Sequence, residues 1–556
     1  MSHGTDADQM DPGPPASRGP RRWTTVLTFV VAIGGVLGVA LMRQTASGHP
    51  RRPGPSGRLP ARRRPARPSP RRPRATSATR VTIHLAANAP GVAIPRSFLG
   101  FSTEYWTLPV DERHVALYRR VIALLHNRGD GRFVLRIGGV SSDHSFWELA
   151  VHRMPEWAFA ITPRWIARTA RIVRQSRLRV IIDLNLITAT PALNAALARE
   201  AIAEWPRGSI AAFEIGNEPD VYNRQVWGVR LEGSRTATGL LPSSLTAGSY
   251  TASFDADARS LGVVAPRVPL QGPALADPRL NRNWISRLLA GPRPRLDAIS
   301  VHEYPYTACA RPDAAAHPTI RKLLSFNATS TMARAVGPAV RLARRAALPV
   351  RVSEFNSVTC GGVAGISNSF ASALWAPSAL FALIRAGVSS ADLHVRAYSI
   401  NAPFRFGRKG VIARPLLYGL ILFAHMVRPG SRLLRVRVES QTGAPLRVWA
   451  VRQPGRRLSV LFIDRTARAV RVDLVLSSRF RATVQRLLAP SPRATSGETL
   501  DGQRLGPDLR WHGRRQIETA APHDGSFAVT VRPMSASVVT VPLVGPRSRR
   551  PARRRF

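Results

Sequence analysis

The chain has 556 residues, 44% of them hydrophobic, and a formal net charge of +48. This length exceeds what one ordinary core accommodates, and the apolar content excludes a chain that is disordered throughout, so two or more domains are expected. The charge comes almost entirely from arginine spread along the chain, which favours the codon usage of a GC-rich genome as its origin. Such a charge could also attract nucleic acid, acidic polysaccharide or a membrane surface, but no aromatic-interleaved motif accompanies it, so no nucleic-acid partner is expected.

The N-terminal part of the chain is organised around one apolar segment. Residues 24–42 form an uncharged apolar run of nineteen residues, long enough to span a bilayer as a helix, and no clean cleavage site follows. We predict a transmembrane anchor or signal segment here, after a disordered cytoplasmic tail at 1–23 and before an Arg/Pro-rich linker at 43–78. The folded part is therefore expected on the extracellular side of the cell membrane or secreted, and it ends in a basic tail at 546–556.

Between residues 79 and 430, short β-rich runs alternate with longer segments of helical apolar spacing. Eight strands, each followed by a helix, predict a (β/α)8 TIM barrel. A doubly wound open sheet is the alternative, but no Gly-rich dinucleotide-binding turn follows the first strand. The predicted strands lie at 97–103, 132–139, 179–187, 210–217, 268–273, 296–304, 349–355 and 389–395.

The pattern changes at the C-terminal end of the barrel. Residues 431–545 contain short alternating runs separated by turn residues, which predicts a β-sandwich. Residues 79–87 have the same character although they precede the first barrel strand. We expect this N-terminal run, within 79–95, to pair back into the sandwich and clamp the two domains together.

Two predicted strands end in glutamate. The fourth ends in "IGNEPD", with Glu218 at its tip, and the seventh ends in "VRVSEFNS", with Glu354 at its tip. Reactive groups of such barrels sit at the C-terminal ends of the strands, so the two carboxylates are expected to converge. Paired carboxylates suit cleavage of a glycosidic bond, because one donates a proton to the leaving oxygen while the other attacks the anomeric carbon or activates water.

The other polar residues around Glu218 have separate expected positions. Asn217 directly precedes it and can hydrogen-bond the 2-hydroxyl of a sugar. Glu214 lies four residues back inside the strand, where we expect it in a barrel layer paired with an arginine such as Arg136. Asp220 is expected to cap a helix or loop rather than to catalyse.

Several motifs together resemble one family of glycosidases. "GNEPD" and "SEFNSVTCGG" are similar to those of glycoside hydrolase family 79, the β-glucuronidase and heparanase-like enzymes among the clan A retaining glycosidases. The motifs "GFSTEYW", "LRIGGVSSDHSFW" and "SVHEYP" extend the resemblance, which covers roughly residues 80–545. It implies that Glu218 is the general acid/base and Glu354 the nucleophile, with no cofactor and no metal. The residues that it implies for substrate binding are Asn217, Glu104, Tyr304, Tyr398 and Gly361. Tyr304 would hydrogen-bond the nucleophile, and His302 would be a ligand, a supporting residue or a core residue.

Two positions depart from the pattern of that family. Its glucuronate-specific members carry a tyrosine five residues after the nucleophile, where this chain has Thr359. Val140 stands where a polar residue usually follows the Gly-Gly pair. Both departures concern the choice of sugar and leave the acid pair intact.

The two cysteines of the chain, Cys309 and Cys360, follow the sixth and seventh predicted strands. Those loops are neighbours on the same face of a barrel, so a disulfide between them is expected in an exported protein, the alternative being two unpaired thiols.

The sequence therefore predicts a retaining exo-acting β-glycosidase with a carbohydrate substrate, of the β-glucuronidase type. One alternative is a β-glycosidase for an uncharged sugar such as a glucoside or xyloside. Another is a membrane-tethered glycan-binding protein without turnover, which would be expected to lack one of the two carboxylates.

Overall fold

The computed structural model describes residues 79–155, 157–222, 245–440 and 446–543, together with the backbone of 235–236 and 239–240. In this part of the chain, no helix is long and apolar enough to cross a membrane. The predicted cytoplasmic tail, apolar segment, Arg/Pro-rich linker and C-terminal basic tail lie outside the described residues.

Eight parallel strands close into a barrel, which confirms the predicted fold and each of the eight predicted strands. Neighbouring strands pair in chain order, and the last pairs with the first through Ala391 and Leu99. The strands are β1 (Leu99–Thr103), β2 (Val134–Ile137), β3 (Arg179–Leu184), β4 (Ile210–Ile215), β5 (Leu270–Leu275), β6 (Leu296–Glu303), β7 (Val350–Phe355) and β8 (Ser390–His394).

A helix follows each barrel strand and covers its outer side. Two of these helices begin at a threonine followed by proline: Thr162 and Thr190 each accept a backbone N–H of the first turn. Such caps satisfy N–H groups that have no partner inside the helix, and they set where the chain turns back after the strand. The helices are α1 (Leu108–Arg113), α2 (Val115–Leu125), α3 (Pro163–Ser176), α4 (Pro191–Glu204), α5 (Ala247–Val264), α6 (Arg282–Leu289), α7 (Ile320–Leu323), α8 (Asn327–Arg345), α9 (Phe370–Ala386) and α10 (Pro415–Met426).

Small two-stranded sheets stiffen the loops between these elements. The pair nearest the barrel mouth joins the loops that follow β6 and β7. The pairs are Ser145–Trp147 with Phe159–Ile161, Arg235–Thr236 with Gly239–Leu240, Tyr306–Thr307 with Val358–Thr359, Phe404–Gly407 with Gly410–Ala413, and Arg504–Leu505 with Trp511–His512.

The C-terminal residues form two sheets that face each other across a second hydrophobic core. The predicted return of the N-terminal run is confirmed, because Thr79–His84 lies between two strands of the smaller sheet. The smaller sheet has the order Arg437–Ser440, Thr79–His84, Val470–Val475, Ser526–Val531. The larger has the order Val92–Ala93, Arg432–Leu434, Leu446–Gln453, Arg457–Asp464, Ser535–Pro542, Ala482–Leu488, Thr499–Leu500, with Glu518–Ala520 paired to Ala482–Leu488.

The outer face of the larger sheet packs on the barrel helices. Trp449 is its anchor: the indole N–H donates to Ser378 Oγ of α9 at 3.1 Å, and its ring lies 5.6 Å from that of Phe381. The guanidinium of Arg385 stacks 4.5 Å above the same ring. The sandwich therefore supports α9, the helix that follows β7 and the candidate nucleophile.

Close packing of α9 and α10 requires a glycine at position 419. A Cβ there would overlap the Ala373 carbonyl oxygen, a backbone atom that cannot rotate away. We expect Gly419→Ala to lower the free energy of unfolding by about 1–3 kcal/mol, measured by urea denaturation. Gly248→Ala is the matched control, because its Cβ would meet nothing closer than 3.7 Å in the first turn of α5. Equal stability of the two variants would contradict the packing argument.

Candidate active site

The barrel brings Glu218 and Glu354 to the same mouth. Glu218 follows β4 with left-handed backbone angles (φ 48°, ψ 49°), and its N–H donates to the Ala274 carbonyl at 3.0 Å. Glu354 lies on β7 next to His302 of β6. One carboxylate oxygen of Glu218, one ring nitrogen of His302 and one carboxylate oxygen of Glu354 lie within 4.8 Å of one another. The strand topology thus places two carboxylates, 136 positions apart in sequence, at contact range of one small ligand.

Glu354 accepts hydrogen bonds on both carboxylate oxygens. Tyr304 OH donates to Oε1 at 2.7 Å, and Arg136 Nη1 donates to Oε2 at 3.0 Å. His394 Nδ1 lies 3.1 Å from Oε2. Burial alone would raise the pKa of this carboxyl group, but His394, His302 and Arg136 together lower it well below its usual range. Glu354 is therefore ionised at neutral pH, as a nucleophile must be.

Arg136 lies at the centre of the barrel with its side chain fully buried. The predicted pair with Glu214 is confirmed, with Nε 2.5 Å from Oε2. The guanidinium also contacts Asp183 at 2.9 Å and donates to Asn217 Oδ1 at 3.0 Å. One arginine therefore fixes the orientation of Asn217 and Glu354 at once. The contacts of Arg136 with Asp183 and Glu354 could not be predicted from local patterns, because the three residues lie on three different strands.

His394 and Glu104 form a second charged pair beside Glu354. His394 Nε2 lies 3.6 Å from Glu104 Oε1, and the Ser141 N–H donates to Glu104 Oε2 at 2.8 Å. Burial alone would lower the pKa of His394, but Glu354 and Glu104 raise it to about 8. Sequence reasoning placed Glu104 at the site but missed His394. Its position as the last residue of a barrel strand was the available signal.

Glu218 has a different environment from Glu354. Its side chain is 25% exposed, against 10% for Glu354, and its Oε1 lies 2.9 Å from His302 Nδ1. His302 is fully buried, so it supports Glu218 from inside the barrel.

Asp220 lies two residues beyond Glu218 and accepts the backbone N–H groups of Ala276 and Asp277, at 2.9 and 3.0 Å. This confirms that it caps a loop.

The remaining predicted binding residues differ in position. Asn217, Glu104 and Tyr304 lie around the acid pair through the contacts given above. Gly361 lies in the loop after β7 with φ +80°, a conformation that favours glycine. Tyr398 lies in the loop after β8 with 65% of its surface exposed, so the structure does not pack it against the two acids.

A disulfide joins Cys309 to Cys360, with 6.0 Å between their Cα atoms. The adjoining two-stranded sheet, in which Tyr306 pairs with Val358, connects the same two loops. The loop that contains Gly361 is thereby tied to the loop after β6, next to Tyr304.

Glu218, His302 and Glu354 also have the composition of a cation site. The contacts of Glu354 argue for a different use, because the Arg136 guanidinium and the His394 imidazole offset its charge and the Tyr304 hydroxyl donates a hydrogen bond to it. A divalent ion would have to compete with those donors.

A cavity of about 740 Å³ opens beside Tyr304, within the range of ligand clefts. Acidic and basic side chains line it together with Tyr304, whereas Glu218 and Glu354 are not among its lining residues. The charged lining residues are Asp277, Arg279, Glu303, Arg321, Lys322 and Arg334.

No family model matches the chain, and no curated protein matches its sequence. Solved structures match its fold. A 4-O-α-L-rhamnosyl-β-D-glucuronidase from Fusarium oxysporum 12S is 17% identical with a TM-score of 0.63, over 83% of this chain and 100% of that one. A GH51 arabinofuranosidase from Xanthomonas axonopodis pv. citri is 12% identical with a TM-score of 0.60, over 83% and 99%. A family 44 endoglucanase from Clostridium thermocellum is 12% identical with a TM-score of 0.53, over 83% and 100%. At these identities the similarity defines the fold, a barrel with an attached β-sandwich.

The raised pKa of His394 predicts a pH-dependent stability. A histidine whose folded pKa of about 8 exceeds its unfolded value of about 6.5 stabilises the fold fully below pH 6.5. That contribution, roughly 2 kcal/mol, is lost as the pH rises through 8. We expect the urea-derived free energy of unfolding to fall between pH 6 and pH 9, with a smaller fall in His394→Asn. The exposed His523→Asn should keep the wild-type slope, and an unchanged slope in His394→Asn would contradict the assignment.

Proposed function

We propose that this chain is a retaining, exo-acting β-glycosidase of the β-glucuronidase type, with Glu354 as nucleophile and Glu218 as general acid/base. The observation that carries the proposal is the closeness of the two carboxylates: one oxygen of Glu218 lies within 4.8 Å of one oxygen of Glu354, which is compatible with the retaining arrangement. Retaining glycosidases hold their carboxyl groups about 5–5.5 Å apart, whereas inverting enzymes leave about 6.5–9.5 Å for a water molecule.

The environments of the two acids support this division of roles. Glu354 is ionised and held by three donors, so its carboxylate is aimed and stabilised before substrate arrives. Glu218 is the more exposed acid, and its Oε1 is within hydrogen-bond distance of His302 Nδ1. A proton donor must reach the leaving-group oxygen at the open side of the site, and Glu218 has that position.

The reaction would proceed in two displacements. Glu354 attacks the anomeric carbon while Glu218 gives its proton to the departing oxygen, leaving a glycosyl ester on Glu354 and a free aglycone. Glu218, now a carboxylate, takes a proton from water, which attacks the anomeric carbon and releases Glu354. Asn217, oriented by Arg136, would bind the 2-hydroxyl, a contact that strengthens in the transition state.

Two other functions compete with this one. A β-glycosidase for an uncharged sugar would use the same acids, and a catalytically silent glycan-binding protein would retain the cleft. A panel of p-nitrophenyl β-glycosides (glucuronide, glucoside, xyloside and galactoside) separates them, and product analysis on oligosaccharides tests exo action. The structural similarity to a rhamnosyl-glucuronidase, a family 51 and a family 44 glycosidase supports the hydrolase.

We also infer that the enzyme acts outside the cytoplasm, anchored or exported through residues 24–42. The Cys309–Cys360 disulfide supports this location, because such bonds persist in oxidising compartments. Protease accessibility of the barrel on intact cells tests it.

Replacing the nucleophile should stop the reaction. Glu354→Gln keeps the shape of the side chain but removes its charge, so we expect turnover of p-nitrophenyl β-glucuronide to be abolished. Glu518→Gln is the control, since that glutamate pairs with Arg486 on the sandwich sheet far from the acids in the fold. Full activity of Glu354→Gln would falsify the assignment.

Removing the acid/base should make the rate depend on the leaving group. Glu218→Ala is expected to lose about 100- to 10,000-fold with poor leaving groups and much less with dinitrophenol. Sodium azide should partly restore the rate and yield the β-glycosyl azide, identified by NMR. An α-azide, the product of single inversion, is the result that excludes a retaining mechanism.

A further inference from the structure

Arg396 lies two residues beyond β8, at the rim of the candidate site. Its backbone is held in place: the Arg396 carbonyl accepts from Ser399 Oγ at 3.0 Å, and the next residue, Ala397, donates its N–H to Thr107 Oγ1 at 3.4 Å. The side chain is half-buried. It therefore extends from a fixed segment that directly follows His394, a partner of the nucleophile.

The guanidinium of Arg396 reaches the loop that follows the nucleophile. Its Nη2 lies 2.9 Å from where a Cβ of Gly361 would be, so the guanidinium lies directly against this loop. Gly361 is held in turn, because its carbonyl accepts the N–H groups of Ile400 and Asn401 at 3.0 and 3.2 Å. The disulfide at Cys360 anchors the same loop.

The charge of Arg396 acts on the site but is not paired there. Burial alone would raise the pKa of Glu104, but His394 and Arg396 contribute to lowering it. Across the described residues, no hydrogen bond or ion pair involves the Arg396 guanidinium. Arg136, by contrast, is saturated by carboxylates. Arg396 is thus a cation close to Glu104 and Tyr304 that remains available to a ligand.

We propose that Arg396 determines specificity for an acidic sugar, by pairing with the carboxylate of the sugar ring that Glu354 attacks. The proposal rests on the glycosidase function proposed above. Glu104 and the ionised Glu354 lie at this site, so an anionic sugar needs a cation to meet its acidic group. A guanidinium suits that task, because its planar fork binds a carboxylate through two parallel hydrogen bonds. In this chain the arginine comes from the loop after β8, whereas position 359 is a threonine.

The test compares two substrates that differ only at C6. We expect Arg396→Gln to lower kcat/KM for p-nitrophenyl β-D-glucuronide by about 10- to 100-fold, the usual effect of a lost hydrogen bond to a charged group. The value for p-nitrophenyl β-D-glucoside should change by less than about threefold, because no carboxylate is present. Arg408→Gln, an exposed arginine of the same β8–α10 connection, is the matched control and should behave as wild type.

A binding measurement keeps the two proposals separate. In calorimetric titrations of the full chain, D-glucuronate should bind more tightly than D-glucose, and Arg396→Gln should remove that difference. If the wild-type protein binds glucuronate preferentially but does not hydrolyse the glycosides, the glycosidase proposal is wrong and the proposed role of Arg396 in binding the carboxylate is supported. The specificity proposal is overturned if Arg396→Gln lowers kcat/KM equally for both glycosides, or if this variant still binds glucuronate more tightly than glucose.

Discussion

The contact on which the rest of the site depends is the one between Arg136 and the carboxylates of Glu214, Asp183 and Glu354. A fully buried guanidinium costs several kcal/mol unless it is paired and hydrogen-bonded, so these partners are required for the barrel interior to form. Arg136 lies on β2, and its partners lie on the neighbouring strands β3 and β4 and, across the barrel, on β7. Closure of the barrel and orientation of the candidate nucleophile therefore have the same cause.

The two catalytic candidates differ because the barrel gives them different neighbours. Glu354 lies on a strand and receives donors from the interior and from Tyr304 and His394, which keeps it ionised. Glu218 lies beyond its strand in a left-handed conformation that costs on the order of 1 kcal/mol for a residue of this kind. The hydrogen bond to Ala274 holds that conformation. The same chemical group thus has two environments, because one copy is surrounded by cations and the other faces the opening.

The surrounding loops act as one assembly. The disulfide and the small sheet join the loops after β6 and β7, and the carbonyl of Gly361 joins the latter to the loop after β8. Tyr304, Gly361 and Arg396 come from these three loops. Their mutual positions are therefore held by contacts between the loops, and Tyr304 connects these loops to Glu354.

Much of this architecture follows from the sequence alone. Local hydrophobic patterns locate all eight strands, strand ends locate Glu218 and Glu354, and spacing inside a strand places Glu214 in a layer with Arg136. These features depend on residues close together in the chain. His394 carries only the signal of a strand end, and Asp183 and Arg396 carry no local signal, since Arg396 is one of 81 arginines and lysines. Their roles come from partners on other strands, such as Glu104, 290 positions before His394. Only closure of the barrel brings those partners within a few ångströms, and at that range their charges set the protonation of the site.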